Sequence, residues 1–262
     1  MQRSFALLLL ALFAVTGPAQ DKAAPAVQVN WHGQSFFTIK SSKGTIVAID
    51  PHLIESYGRP RGLRADIILI SHNHADHTQV GALDNGRDKG VKIITGLKGG
   101  GLKADWNDVH ETVKDVTIRN VGCYHDAFEG MQRGKNSIFI VEMDGWRIVH
   151  LGDLGHPLSP AQIKKIGQVD VLMVPVGGIY TLNGSEAKKV VAQLQPKEYI
   201  FPMHYATEAF NDLLPINEFL EEQDRAKVAA TKDNNTILNR DPTRPRPLIV
   251  QLHYWPKGKE PE

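Results

Sequence analysis

Short apolar or alternating runs dominate the chain. Val27 to Trp31, Ser35 to Lys40 and Thr45 to Asp50 are separated by glycine or serine pairs and predict a meander of strands. Ile67 to Ile70, Lys92 to Thr95, Val116 to Val121, Ser137 to Glu142 and Arg147 to Leu151 continue the pattern. Val169 to Val174, Tyr199 to Phe201 and Leu248 to Leu252 complete it. Helical periodicity is rarer and predicts helices over Ser159 to Ile166, Ser185 to Leu194 and Leu214 to Ala229. Ser159 and Ser185 are the expected N-caps, and Glu186 supplies an acidic first turn. Strands with interspersed helices and no long linker predict sheets covered by helices in one α/β body.

The first residues follow another pattern. Arg3 precedes the apolar run Phe5 to Val15, which ends at Thr16, Gly17, Pro18 and Ala19. A positive start, a short apolar stretch and small residues describe a secretory signal peptide. The run is too short for a bilayer span, which needs about 20 residues. The reading divides the chain into a signal peptide over 1–19 and a folded domain over 20–262, secreted or periplasmic, with no stable membrane anchor after cleavage.

Composition narrows the chemistry. The formal charge of +1 over 262 residues carries no basic excess for nucleic acid and no charged tail. Eleven histidines beside a single cysteine, Cys123, point to imidazole chemistry and not to a disulfide framework or a thiolate metal site. Cys123 itself reads as a small core residue.

The histidines concentrate where strands end. Ile67 to Ile70 runs into Ser71-His72-Asn73-His74-Ala75-Asp76-His77. In an extended turn, His72 and His74 can face one cation while Asp76 and His77 turn toward a second, and imidazole with carboxylate suits a divalent ion such as zinc. The bland alternative is a polar, histidine-rich surface loop. Three further strands lead to Cys123-Tyr124-His125-Asp126, to Gly152-Asp153-Leu154-Gly155-His156 and to Pro202-Met203-His204-Tyr205. Ligands at several strand ends are what a rigid scaffold with a loop-built site should show.

The run His72-Asn73-His74-Ala75-Asp76-His77 resembles the HxHxDH signature of metallo-β-lactamase-fold hydrolases, and His125, Gly152-Asp153 and His204 follow in that family's order. The resemblance implies a four-layer αββα sandwich of mixed α/β (α+β) class, with the site on one edge. It implies that His72, His74 and His125 hold a first metal, that Asp76, His77 and His204 hold a second, and that Asp153 bridges them. The implied cofactors are two divalent ions, zinc first and Mn2+ or Fe2+ as alternatives, activating a shared water. Asp76 and Asp153 are the implied catalytic carboxylates.

Tyr124-His125-Asp126, Pro175-Val176-Gly177-Gly178 and Pro202-Met203-His204-Tyr205 are most similar to the branch containing ascorbate-6-phosphate lactonase. That implies a small-molecule ester, lactone or phosphodiester ahead of a β-lactam or thioester. Gln34 departs from that branch, whose members often place histidine after the glycine of the first strand. A di-iron oxidoreductase on this fold favours glutamate where His74 stands, and a noncatalytic metal module would lack a ligand.

Secondary candidates stay open on sequence grounds. Asp50 is either a carboxylate that orients a ligand histidine or a turn residue before Pro51. His156 either protonates a leaving group or caps the helix near Ser159, and His150 reads as structural. His32, His52, His110 and His253 have no ligand spacing, Gly99-Gly100-Gly101 reads as a turn, and oligomeric state is unknown.

The signal reading is tested by cell fractionation with N-terminal sequencing. The expected product is exported and begins at Gln20, after cleavage at Ala19. A cytosolic protein still starting at Met1 contradicts it.

Overall fold

The computed structural model describes residues 26–100 and 104–254, so the signal reading over 1–19 lies outside the described residues. Val27–Trp31 (β1), Phe37–Lys40 (β2), Ile46–Ile49 (β3), Ile67–Ile70 (β4) and Lys92–Thr95 (β5) form most of one sheet. Leu97–Lys98 (β6) and Asp105–Trp106 (β7) make a short separate hairpin. His110–Val113 (β8), Val116–Tyr124 (β9), Lys135–Met143 (β10), Trp146–His150 (β11), Val171–Pro175 (β12) and Tyr199–Met203 (β13) belong to the second sheet. Val228–Ala230 (β14), Asn235–Leu238 (β15) and Leu248–Gln251 (β16) close the chain. The first sheet runs β15-β1-β2-β3-β4-β5, and the second runs β14-β16-β13-β12-β11-β10-β9-β8.

Period-two alternation decides which residues meet between the sheets. In β4, Ile67 and Leu69 join the large core with Phe139, Ile148 and Phe201. Ile68 and Ile70 point the other way, into a smaller cluster with Phe36, Ala48, Ala82 and Leu83. β4 has parallel neighbours on both sides and is buried on both faces, which explains its uninterrupted apolar sequence. Pro160–Ile166 (α1) and Gly184–Leu194 (α2) contribute Ile166, Ala187, Val190 and Leu194 to the large core. The cover over the smaller cluster includes the 3-10 turn Val80–Ala82, whose Ala82 packs into it. The result is the mixed sheet sandwich expected from the motifs. Among the described residues, no helix is long and apolar enough to cross a membrane.

Two local expectations change. Ser159 caps α1 as expected, in a capping box with Gln162. The cap of α2 is Asn183 and not Ser185: Asn183 Oδ1 accepts from the Glu186 backbone at 2.8 Å, and Glu186 Oε2 accepts from the Asn183 backbone at 3.0 Å. Ser185 Oγ instead donates to Glu218 at 2.8 Å. The helix expected over Leu214 to Ala229 shrinks to Asn217–Leu220 (α3). Glu222 adopts a φ of 67°, Asp224 caps a 3-10 turn over Arg225–Lys227, and Val228–Ala230 pairs with β16. Sheet pairing has overridden helix propensity there. Edge strands β8 and β15 carry too little apolar periodicity to be read from sequence.

Phe139 lies on β10 and is fully buried among the residues between the sheets. Phe139→Ala should lower unfolding free energy by about 3–5 kcal/mol, measured by denaturant titration. A loss below about 1 kcal/mol, within what surface substitutions give, contradicts this placement.

Candidate metal centre

Strand direction brings the candidate ligands together. β10 is antiparallel to both β9 and β11, while β12 and β13 run parallel to β11. Hence β9, β11 and β13 all point the same way, and His125, Asp153 and His204 follow their ends at one edge of the second sheet. The loop after β4 meets them there with His72, His74, Asp76 and His77.

Three overlapping groups of ligand-competent atoms result: His72, His74 and His125; His72, His77 and Asp153; Asp76, His77 and His204. All seven residues expected from sequence take part. Asp153 stands at the centre. Its Oδ2 lies 3.2 Å from His77 Nε2, 3.2 Å from His125 Nε2 and 3.3 Å from His204 Nε2. His72 Nε2 is 4.0 Å from the same oxygen and 3.0 Å from His74 Nδ1. Asp76 reaches His77 Nε2 at 3.6 Å, with its side chain 41% exposed. His74 is the exposed imidazole, so the cluster meets solvent on the side of His74 and Asp76.

Neighbouring groups hold these side chains. Ser35 Oγ donates to Asp153 Oδ1 at 2.9 Å, leaving Oδ2 to face the imidazoles. Asp50 Oδ2 lies 3.2 Å from His77 Nδ1, and Ser71 donates to Asp50 from both backbone and hydroxyl at 2.7 Å. The Ser71 hydroxyl has spent its proton on Asp50, so it accepts from His72 Nδ1 at 2.9 Å. That places the His72 proton on Nδ1 and the lone pair of Nε2 toward the cluster. Asp50 is therefore the orienting carboxylate of the two roles open to it. His150 Nδ1 accepts from the Gly152 backbone at 3.1 Å, and its Nε2 donates to the Ser35 carbonyl at 2.9 Å. His150 is structural, as expected.

Backbone geometry matters as much. Gly152 has a φ of 53°, and a Cβ there would lie 2.4 Å from Asn136 Oδ1. A side chain at Gly177 would lie 2.1 Å from the His204 carbonyl. Both glycines let the backbone approach closely beside a ligand. Asp50 and His204 themselves adopt φ values of 51°, a conformation that costs a non-glycine residue and recurs at functional sites.

The electrostatics follow from burial and crowding. Burial alone would raise the Asp153 carboxyl, yet His204 and His77 hold it well below the usual carboxylate range. Burial likewise opposes charge on His77, but Asp153 and Asp50 on either side raise it well above an ordinary imidazole. Burial and then His77 push His72 well down, while burial and then His125 lower His74. The lowered His72 and His74 and the ionised Asp153 have the protonation states a divalent ion binds, and a bound ion would displace the proton that His77 favours. His77 Nε2 is buried without a hydrogen-bond partner and faces Asp153. An orphaned nitrogen beside a carboxylate, within a set of nitrogen and oxygen donors, fits a borderline divalent metal.

Other candidates fall outside the cluster. Half-buried His156 accepts from the Tyr124 backbone through Nε2 at 3.0 Å, so neither role expected of it matches its contacts. Cys123 is buried, receives Asn136 Nδ2 at 3.1 Å and has its thiol pushed up to about 12 by burial, which makes it a core residue. His52 and His32 bond to backbone and to Thr38. Ser35, Ser71 and Asn136 were not singled out from sequence. Ser71 had a weak signal, standing directly before the motif; Ser35 lies 118 positions from its partner Asp153 and had none.

Comparison with known proteins agrees with this geometry. The profile of the family described as "Beta-lactamase superfamily domain" matches residues 28–204. A UPF0173 metal-dependent hydrolase from Thermococcus kodakarensis is 32% identical over 196 residues, covering 69% of this chain and 85% of that one. One from Pyrococcus abyssi is 31% identical over 233 residues, covering 80% and 99%. A solved metallo-β-lactamase-superfamily structure from Thermotoga maritima has a TM-score of 0.62 and 30% identity, covering 87% of this chain and all of that one. The narrower likeness to ascorbate-6-phosphate lactonase rests on sequence motifs alone.

Removing the carboxylate behind His77 should weaken metal binding without removing a ligand. Asp50→Asn should raise the zinc Kd by about 10–100-fold, read by competition with a chromogenic chelator. An unchanged Kd contradicts the orienting role of Asp50.

Proposed function

Because the chain belongs to the β-lactamase superfamily, we propose that it is an exported metal-dependent hydrolase with two divalent ions, zinc first, that cleaves a small ester. A lactone or phosphodiester comes ahead of a β-lactam or thioester. The observation that carries this reading is Asp153 Oδ2, within 3.2–3.3 Å of imidazole nitrogens from three separate chain segments. One carboxylate oxygen among so many donors supports a role shared between two ions. The names of the Thermococcus and Pyrococcus relatives support the hydrolase class.

His72, His74 and His125 would hold one ion, Asp76, His77 and His204 the other, and Asp153 both. A metal held by these residues would supply Lewis acidity and would lower the pKa of a water near it toward neutrality. The chain's own residues do the rest. Asp50 and Ser71 keep His77 and His72 aligned, so the ligands need no reorganisation as substrate arrives. Asp76, the partly exposed carboxylate, is placed to orient a water entering from solvent and to accept its hydrogen bond. The substrate class follows from the lactonase-like motifs around His125, Gly177 and His204, and the charge of +1 disfavours a nucleic acid.

The test is a kinetic panel of lactones, aryl phosphodiesters, thioesters and cephalosporins, run on zinc-loaded protein with and without a chelator. The expected result is turnover highest for a lactone or phosphodiester and abolished by the chelator. Asp153→Ala should lower kcat/KM by at least about a thousandfold while retaining the fold. Cephalosporin turnover exceeding both preferred classes by orders of magnitude overturns the substrate assignment. Chelator-resistant turnover overturns the metal role.

A further inference from the structure

Large apolar side chains are exposed in an uneven distribution. Among the described residues, eight are exposed: Leu53, Ile93, Phe128, Met131, Ile179, Tyr180, Leu214 and Ile237. Ile93 and Ile237 lie on strands of the first sheet. The other six lie in loops that leave the strand ends at the edge carrying the ligand cluster. Leu53 follows β3 and Asp50, Phe128 and Met131 follow β9 and His125, Ile179 and Tyr180 follow β12, and Leu214 follows β13 and His204. Chance placement would not favour that edge so strongly.

These loops are bound to one another in series. Tyr57 Oη and Thr207 Oγ1 share a hydrogen bond of 2.8 Å, which ties the loop of Leu53 to the loop after His204. The Leu214 backbone donates to the Gly177 carbonyl at 2.8 Å, linking that loop to the one carrying Ile179 and Tyr180. Arg133 donates to the Ile179 carbonyl at 3.0 Å and lies 4.9 Å from the Tyr180 ring centroid, which brings in the loop of Phe128 and Met131. That last loop is rigid by construction. Asp126, next to ligand His125, accepts from the backbones of Phe128, Gly130, Gln132 and Arg133 at 2.7–3.0 Å. A buried carboxylate thus holds Met131 81% exposed and Phe128 beside it.

Exposed apolar side chains gathered on linked loops around one edge mark a binding function. A partner seated there permanently would obstruct the cluster edge, so the occupant has to come and go with catalysis. Resting on the hydrolase reading above, we infer that the substrate carries an extended apolar group, such as a medium-length acyl chain, which lies along this arc while its ester meets the ligand cluster. The arc recognises a monomeric amphiphile: the cluster takes the polar, hydrolysable end, and Phe128, Met131, Ile179 and Leu214 take the apolar end. Burial of each further methylene then lowers KM until the arc is filled.

The test uses zinc-loaded protein and p-nitrophenyl acetate, butyrate and octanoate at concentrations below and above their micellar thresholds, with the double variant Phe128→Ser and Met131→Ser alongside. From butyrate to octanoate, kcat/KM should rise at least about tenfold, below the roughly 200-fold that full burial of the added methylenes would give, mainly through KM, and the rise should flatten in the variant at unchanged thermal midpoint. Equal kcat/KM along the series overturns the inference. A rise confined to concentrations above the micellar threshold also overturns it, since the occupant would then be a lipid surface. Calorimetric binding of octanoate and butyrate separates this inference from the hydrolase reading. Octanoate binding about tenfold tighter than butyrate, with the preference lost in the variant, supports the arc even if no ester is cleaved. Equal affinities overturn it.

Discussion

A single buried carboxylate oxygen organises this protein. Asp153 is almost fully buried, and its Oδ2 is crowded by nitrogens of His77, His125 and His204. A carboxylate in such a place is costly unless positive charge compensates it. His77 is raised well above an ordinary imidazole by Asp153 and Asp50 and so favours a proton. A divalent cation would meet the same demand more completely, because it would use the lone pairs of the imidazoles around it.

The sandwich exists, from the viewpoint of the site, to point strands at that oxygen. Alternation along β4, β10 and β13 buries an apolar core between the sheets and leaves each strand end free to carry polar residues. Parallel and antiparallel pairings then set which ends coincide. The direction shared by β9, β11 and β13 puts His125, Asp153 and His204 side by side, although they are far apart in sequence. Ser35, in the turn between β1 and β2 of the opposite sheet, ties Asp153 across the sandwich. Core packing and site geometry are thus coupled through a few rigid contacts.

Much of this was legible before any coordinates. The ligands announce themselves because their chemistry is dense in sequence at His72 to His77 and because each later ligand follows an apolar strand. The core strands were legible because alternation is a direct consequence of the pleat. Residues whose role depends on distant partners were not. Ser35, in a turn, and Asn136, in a strand, look like any serine or asparagine of their setting until folding brings Asp153 to them. The segment Leu214 to Ala229 has helical periodicity, but pairing of β14 with β16 outweighs that local preference. Sequence alone does not separate Asn183 from Ser185 as the cap, since both have the preference; only the reach of Asn183 and Glu186 to each other's backbones does. Asp50 was readable as a choice between two roles, and the tertiary contact with His77 decides it.

The central claim is that Asp153 is shared between two ions held by residues from four strand ends. Anomalous diffraction at the zinc edge on crystals of the metal-loaded protein addresses it most directly. The account predicts two peaks, one amid His72, His74 and His125 and one amid Asp76, His77 and His204, both within coordinating distance of the Asp153 carboxylate. A single peak at full metal loading, or peaks that do not contact Asp153, would contradict it.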